Sequence, residues 1–413
     1  MKEFSQYIEY LYSQVPLFQN VGQGAYKEGL ENTHILDDHF GHPHEQFKTI
    51  HIAGTNGKGS CSHTIASVLQ EAGYKVGLYT SPHLISFRER IRVNGEMIPE
   101  QYVMDFIDNE KNFFEPLYPS FFELTTALAF KYFAEMKVDV AVVEVGLGGR
   151  LDCTNIINPD LSIITNISFD HMSLLGNTLG QIASEKAGIM KEGIPVVIGE
   201  TCEETKNVFL DHSKEVGSPI FFAEEFEPQR QYEFELKGLY QEKNLRTILC
   251  AISHLIEHNY NISEENIKNG LHKVCENTGL MGRWQTIQTN PTVVCDTGHN
   301  VGGIQYVVKQ LAQQHYSTLR IVIGMVNDKD INGVLAMLPK EATYYFCQAS
   351  VKRARPADEI TLLGKENHLE GKSYPTVEKA YNAALKDASE NDFIFVGGSS
   401  YIVADLLTYL SKS

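Results

Sequence analysis

Two rhythms of apolar residues alternate along the chain. Short, nearly continuous apolar runs recur, and the stretches between them repeat apolar positions at helical spacing. Thr49–Ala53 reads as a strand and Ser60–Ala72 as a helix. Val76–Thr80 is the next strand; Phe122–Met136 has helical periodicity and is followed by the strand Val138–Val145. Leu161–Ile167 and Pro195–Ile198 are further strands, with the helical stretch Leu179–Met190 between them. The runs Val138–Val145 and Leu161–Ile167 are apolar on both faces, as buried parallel strands require. Before this series, Phe4, Tyr7, Ile8 and Leu11 are spaced as on one face of an amphipathic helix.

The series then restarts. Thr292–Cys295 is a strand, followed by a Gly-rich turn and the helix Gly303–His315, and by strands at Leu319–Ile323, Ala342–Cys347 and Phe393–Val396. Alternating strands and helices predict an α/β fold with mostly parallel sheets. The polar stretch ending at Pro291 separates the two series, which predicts a first domain over 1–282, a linker over 283–291 and a smaller, Rossmann-like domain over 292–413. There is no internal repeat and no low-complexity tract.

Composition narrows the function classes. At 413 residues the chain is long for one domain and suits two. The formal charge, 35 − 52 = −17, argues against nucleic acid and against an electrostatic membrane anchor. An anionic substrate must be met by local positive groups, because the overall field repels it. The seven cysteines are scattered and contain no C-x-x-C, which predicts reduced thiols without disulfides or zinc. The first residues (MKEFSQYIEYLYSQ) hold no apolar signal core, and no apolar run reaches the roughly 20 residues of a membrane span. A soluble, cytoplasmic protein is expected.

The first candidate for chemistry lies directly after the strand Thr49–Ala53. Gly54-Thr55-Asn56-Gly57-Lys58-Gly59-Ser60 is a glycine-rich turn leading into a helix. Such a turn offers backbone N–H groups and the positive end of the helix dipole to a phosphate, with Lys58 reaching the terminal phosphates. It departs from G-x-x-x-x-G-K-[ST], because Ile52 stands at the first Gly position and Gly59 precedes Ser60. Glu144 ends a buried strand, where α/β sheets place ligands. Ser81 and Asp170-His171 follow two other strands.

GTNGKGS resembles the phosphate loop of the ATP-dependent Mur ligase superfamily. Thr80-Ser81-Pro82-His83-Leu84, Glu89-Arg90-Ile91, Glu144-Val145-Gly146-Leu147-Gly148-Gly149-Arg150-Leu151-Asp152, Asp170-His171 and Glu185-Lys186-Ala187-Gly188 follow at the family's spacing. Together they resemble the folylpolyglutamate synthase/dihydrofolate synthase family over nearly the whole chain. The resemblance implies a P-loop-type ATPase domain that binds ATP through Gly54–Ser60, Asn244, Arg283 and Asp296. It implies Mg²⁺ on Ser81, Glu144 and His171, with K⁺ as a further candidate ion, and a carbamylated Lys186. A carbamate suits that position, since a bare ammonium would be repelled by Mg²⁺. Gln241 matches the helix start near the nucleotide, and Val294–Asn300, with His299, resembles the family's DGAHN segment. Asp328-Lys329-Asp330 and Gly397–Tyr401 match two later family segments.

The resemblance also places a pterin pocket at Ser120-Phe121-Phe122-Glu123 and Leu151-Asp152-Cys153. Aromatic rings can stack on a flat heterocycle, and a carboxylate can accept its N–H groups. The plain alternative for Phe121 and Phe122 is core packing at a helix start. His39, His42 and His44 invite a metal reading, but His42-Pro43-His44 fits a turn. Arg88, Arg90 and Arg92 alternate as on one strand face, as either a solvated face or a positive patch.

The implied reaction is ATP-dependent ligation of L-glutamate to dihydropteroate, to reduced folates, or to both, through an acyl phosphate. Lys58, Lys186, Arg283 and His299 form the expected catalytic set, and two domains closing over ATP would exclude water. Partners are small molecules only, and a monomer is implied. Matches at Ser120–Glu123 and Asp152 favour dual activity over chain extension alone; Asn32, standing at a family Arg, weakens that preference. Two rivals remain: another Mur-type amino-acid ligase, and a catalytically silent nucleotide-binding protein. Mur ligases of peptidoglycan synthesis carry a UDP-sugar domain before the phosphate loop, and only about 50 residues precede Lys58 here.

Overall fold

The computed structural model describes residues 3–14, 29–327 and 330–412. The chain divides into two compact units, Met1–Glu235 with Gln241–Leu280, and Leu236–Tyr240 with Met281–Ser413.

The first unit is built on an eight-stranded sheet. Its strands are β1 (Lys48–Ala53), β2 (Val76–Tyr79), β3 (Ile91–Val93), β4 (Glu96–Met97), β5 (Val140–Glu144), β6 (Leu161–Ile164), β7 (Val196–Ile198) and β8 (Ile220–Phe222). They lie in the order β4-β3-β2-β5-β1-β6-β7-β8. Neighbouring pairs from β2 to β8 along this order are parallel, and the pairs β2–β3 and β3–β4 are antiparallel, so only β3 runs against the sheet. β1 and β5 are buried at nearly every position, which their unbroken apolar composition required. In the register, Ile52 of β1 sits opposite Glu144 and opposite Ile163. The carboxyl ends of β1, β5 and β6 therefore finish side by side. The chain leaves β1 toward β2 on one side, and the later connection from β5 to β6 crosses to the other side of β1, which makes this the topological switch point where open α/β sheets bind ligands.

The second unit holds β9 (Gln285–Thr289), β10 (Thr292–Cys295), β11 (Leu319–Ile323), β12 (Thr343–Cys347), β13 (Gly371–Tyr374) and β14 (Phe393–Gly397). Their order is β13-β12-β11-β14-β10-β9, parallel except for β9. The stretch 283–291, expected as a linker, thus contains a strand. Its sequence QTIQT is polar because β9 is a half-exposed edge, so no apolar run announced it. Residues 236–240 are held to this unit by Gln310, which donates to the Lys237 carbonyl and accepts from the Leu239 N–H.

Among the described residues, no helix is long and apolar enough to cross a membrane. All seven cysteines are free.

Candidate active site

The phosphate loop is shaped by two glycines. Gly54 has φ +148°, and a Cβ there would lie 1.9 Å from Thr165 Oγ1. Gly57 has φ +88° and closes the loop onto Asn244, whose Oδ1 would lie 2.4 Å from an added Cβ. Both positions combine a backbone disfavoured for L-residues with no room for a side chain. The helix Lys58–Glu71 starts directly after Gly57. Residues after β6 brace the loop: Asn166 Oδ1 accepts from the Asn56 N–H (2.8 Å), and Thr165 Oγ1 donates to the Asn56 carbonyl (2.6 Å). Lys58 Nζ donates to the carbonyls of Gly54 (2.9 Å) and Thr55 (3.3 Å). Gln241 donates to Ser60 Oγ (3.0 Å) and accepts from Asn244 (2.8 Å), so the helix Gln241–Glu257 opens against this loop. Gly57→Ala is expected to lower ATP affinity at least about tenfold, since strain of 1–3 kcal/mol and the clash both fall on the loop. ATP titration by calorimetry checks this.

Thr165 and Asn166 were not singled out from the sequence, which runs the strand through to Ile167. The signal was present: a polar pair directly after an apolar run marks a strand end. β6 indeed stops at Ile164.

Lys186 lies beside the loop. It is buried, and its Nζ donates to the Gly54 carbonyl at 3.0 Å. Burial is the main cause that pulls its pKa down to about 7, helped by the Lys58 charge and opposed by Asp170 and Asp152. Its helix, Leu179–Ala187, ends against the Gly-rich loop 146–151. Arg150 donates to the Glu185 carboxylate through its guanidinium (2.9 Å), and its backbone N–H donates to the Glu185 carbonyl (2.8 Å). Gly149 leaves room for the Glu185 and Lys186 carbonyls, where a Cβ would come within about 3 Å. The Glu-Lys-Ala-Gly segment is thereby clamped and Lys186 is aimed inward.

Glu144 ends β5 and is buried; its Oε2 accepts from the Ser81 N–H at 3.2 Å. The Ser81–Pro82 peptide is cis. Glu89 orders the following turn by accepting from the N–H groups of Leu84, Ile85 and Ser86. His171 has left-handed backbone (φ 49°) and its Nε2 is 3.9 Å from Asp170. A hydroxyl and a buried carboxylate are hard oxygen donors that fit Mg²⁺, and the imidazole is the softer member.

The expected pterin segments occupy two kinds of surroundings. Ser120 and Glu123 form a capping box that starts the helix Phe121–Glu135. Ser-x-x-Glu before an apolar run was the readable signal for this role. Phe121 is buried in the core, whereas Phe122 is half-buried and lies against Gly146. Asp152 is buried and caps the turn Cys153–Ile156, accepting from Thr154 and, through its other oxygen, from the Leu147 N–H. Burial, its largest influence, raises its pKa despite those donors. Leu151 is half-buried, as is Cys153. Asn32 donates to the Leu117 carbonyl (3.3 Å).

The three arginines do not share a strand face. The Ser86–Glu89 capping box winds Phe87–Arg90 into a 3₁₀ turn, so only Arg92 lies on a strand. Arg90 is buried and donates to His83, and Arg92 donates to the Gly95 carbonyl. His42 and His44 both bond Asp37, while His39 stacks on Phe113 at 3.6 Å.

In the second unit, Asp296 follows β10. One of its oxygens accepts from the Tyr240 hydroxyl (2.6 Å) and the Trp284 N–H (2.8 Å), the other from the Gly298 N–H (2.7 Å). Arg283 donates to Thr297 Oγ1, and His299 Nδ1 donates to the Thr297 carbonyl. Asn300 caps the helix Val301–Leu311 and Ser399 caps Ser400–Leu410. Asp330 caps Ile331–Met337; Asp328 and Lys329 lie outside the described residues.

The Mur ligase middle domain family matches residues 52–269, and the Mur ligase glutamate ligase domain family matches 282–400. The dihydrofolate synthase/folylpolyglutamate synthase of Bacillus subtilis is 34% identical over 411 residues, covering 92% of this chain and 94% of the relative. Among solved structures, Escherichia coli FolC in complex with DHPP and ADP is 29% identical with a TM-score of 0.87, covering 100% of this chain and 98% of the other. A bifunctional folylpolyglutamate synthase/dihydrofolate synthase with Mn, AMPPNP and L-glutamate bound is 29% identical with a TM-score of 0.86, covering 100% and 98%.

Proposed function

The chain belongs to the Mur ligase family, among the dihydrofolate synthases/folylpolyglutamate synthases, and from that premise we propose how its residues carry out ATP-dependent glutamate ligation. The observation that carries the reading is the convergence of the phosphate loop, Lys186 and the Ser81–Glu144 pair at adjacent strand ends of one unit. The substrates are ATP, L-glutamate and dihydropteroate or a reduced folate.

In this reading the substrate carboxylate attacks the γ-phosphorus, ADP leaves, and an acyl phosphate forms. The glutamate amine then attacks the acyl carbon, and inorganic phosphate departs as the amide forms. Gly54–Ser60 holds the nucleotide phosphates through backbone N–H groups, with Asn244 against the loop. Lys58 neutralises charge that develops on the transferring group, Arg283 is the corresponding cation of the second unit, and Asp296 and His299 order the segment after β10. Ser81, Glu144 and His171 would hold Mg²⁺, which when bound supplies charge neutralisation to phosphate oxygens. Phe122 offers a face to the pterin, with Phe121, Leu151, Cys153 and the capping residues Ser120, Glu123 and Asp152 shaping the wall around it.

Phosphate release from ATP tests the reading. Release is expected with glutamate plus dihydropteroate and with glutamate plus tetrahydrofolate, and only when glutamate is present. Release with neither pterin would overturn it in favour of a silent nucleotide-binding protein. Release with tetrahydrofolate but not dihydropteroate selects the second reading, chain extension only; Asn32 in place of the family Arg weakens the dual one.

A further inference from the structure

We propose that Gly146 is a positioning residue for the Phe122 ring, and that its missing side chain fixes the plane on which the pterin substrate stacks. The inference rests on the placement of Phe122 at the pterin pocket given above. Phe122 differs from its neighbour Phe121: the latter is buried in the core, while Phe122 keeps part of its ring open. The edge of the Phe122 ring rests directly on the Gly146 backbone. A Cβ on Gly146 would lie 2.4 Å from Cζ and 2.7 and 2.8 Å from the two Cε atoms.

The backbone side of this contact is held in place, so any adjustment falls on the ring. The Gly146 and Leu147 N–H groups both donate to the buried Asp152 carboxylate, which ties the loop down. Behind the phenyl ring lies Tyr79, with centroids 5.7 Å apart and planes 30° apart. Tyr79 is itself fixed, because its hydroxyl bonds Thr125 and Thr126 at 3.1 Å each. The ring is therefore bracketed between a tyrosine and a bare stretch of backbone.

The physics separates this role from a folding role. Gly146 has no left-handed φ, so alanine can adopt its backbone. The clash is with the far end of a side chain that has two torsions. Rotation of the Phe122 ring relieves it at modest cost to the fold, and the stacking surface moves. Aromatic stacking depends on offset and tilt, with about 0.5–1.5 kcal/mol at stake per pair. A methyl group at residue 146 should thus act on pterin binding alone.

The experiment compares wild type, Gly146→Ala, Phe122→Leu and the double variant, measuring KM for the pterin, KM for ATP, kcat and Tm. The pterin is dihydropteroate, or tetrahydrofolate if only extension is observed. Gly146→Ala is expected to raise the pterin KM about 2- to 13-fold, the range those stacking energies span, with KM for ATP unchanged. Phe122→Leu should do the same, and the double variant should be no worse than Phe122→Leu, because the smaller side chain makes room for the methyl. If Gly146→Ala lowers Tm, the double variant should recover it. Full additivity, an unchanged pterin KM, no recovery of a lowered Tm, or an equal rise in KM for ATP through nearby Glu144 would each overturn the inference. An unchanged pterin KM in Phe122→Leu alone would remove the pocket placement itself, a separate failure that takes this inference with it.

Discussion

Replacing Lys58 by alanine is expected to cut glutamate-dependent phosphate release at least about 10²–10³-fold, the size of effect seen when one preorganised charge-stabilising donor is lost. The argument starts from charge. The chain carries a formal −17, and its nucleotide and carboxylate substrates are anionic. Stabilisation of the transferring phosphoryl group must come from a few local cations. Lys58 opens the helix after Gly57, with its ammonium 2.9 Å from the Gly54 carbonyl, on the inner side of the loop. Arginine should not restore activity, because a planar fork cannot occupy the place of a compact ammonium. Tm should change little, since the side chain bonds only loop carbonyls that water can also satisfy. Turnover like that of wild type would sink the assignment of this loop.

Most of the first sheet's parallel strands could be read directly. They are buried on both faces, and burial on both faces writes an unbroken apolar run, as in Val140–Glu144. The strands that escaped reading are edges or short hairpins. β3 and β4 have three and two residues, and β9 is polar. The candidate site was legible where a glycine or a charged residue interrupts an apolar run, as at Gly54–Ser60 and Glu144. It was illegible where a polar residue serves the backbone. Glu123 reads as a pterin contact, and the bond it makes is that of a helix-capping box. Arg88, Arg90 and Arg92 fit the period of a strand, but a local capping box overrides a three-point pattern. The surroundings of Lys186 lay beyond sequence altogether. A lysine at a helix end is ordinarily solvated; only the fold brings it under Gly54 and next to Lys58.

That placement carries the last expectation. Lys186→Ala should lower activity by about 10²-fold or more, with partial recovery on adding a short carboxylate such as acetate or propionate. The reason is the state of the amine. Burial and the Lys58 charge disfavour the ammonium and bring its pKa to about 7. Below that pH the group is protonated and cannot act as a nucleophile. Above it the lone pair is free to attack CO₂, forming an N–C bond and releasing a proton to leave a carbamate. A carbamate would turn a cation into an anion where an ammonium would oppose the Mg²⁺ proposed on Ser81, Glu144 and His171. Enzyme stripped of metal and CO₂, incubated with bicarbonate and then assayed with Mg²⁺ restored, should therefore regain activity faster when the incubation is at pH 8 than at pH 6, at equal dissolved CO₂, with a midpoint near pH 7. An added carboxylate replaces the lost anionic oxygens but not their tether, so rescue should be incomplete. Full activity in Lys186→Ala without any additive would refute the carbamate, and reactivation independent of pH would refute the lowered pKa as its cause.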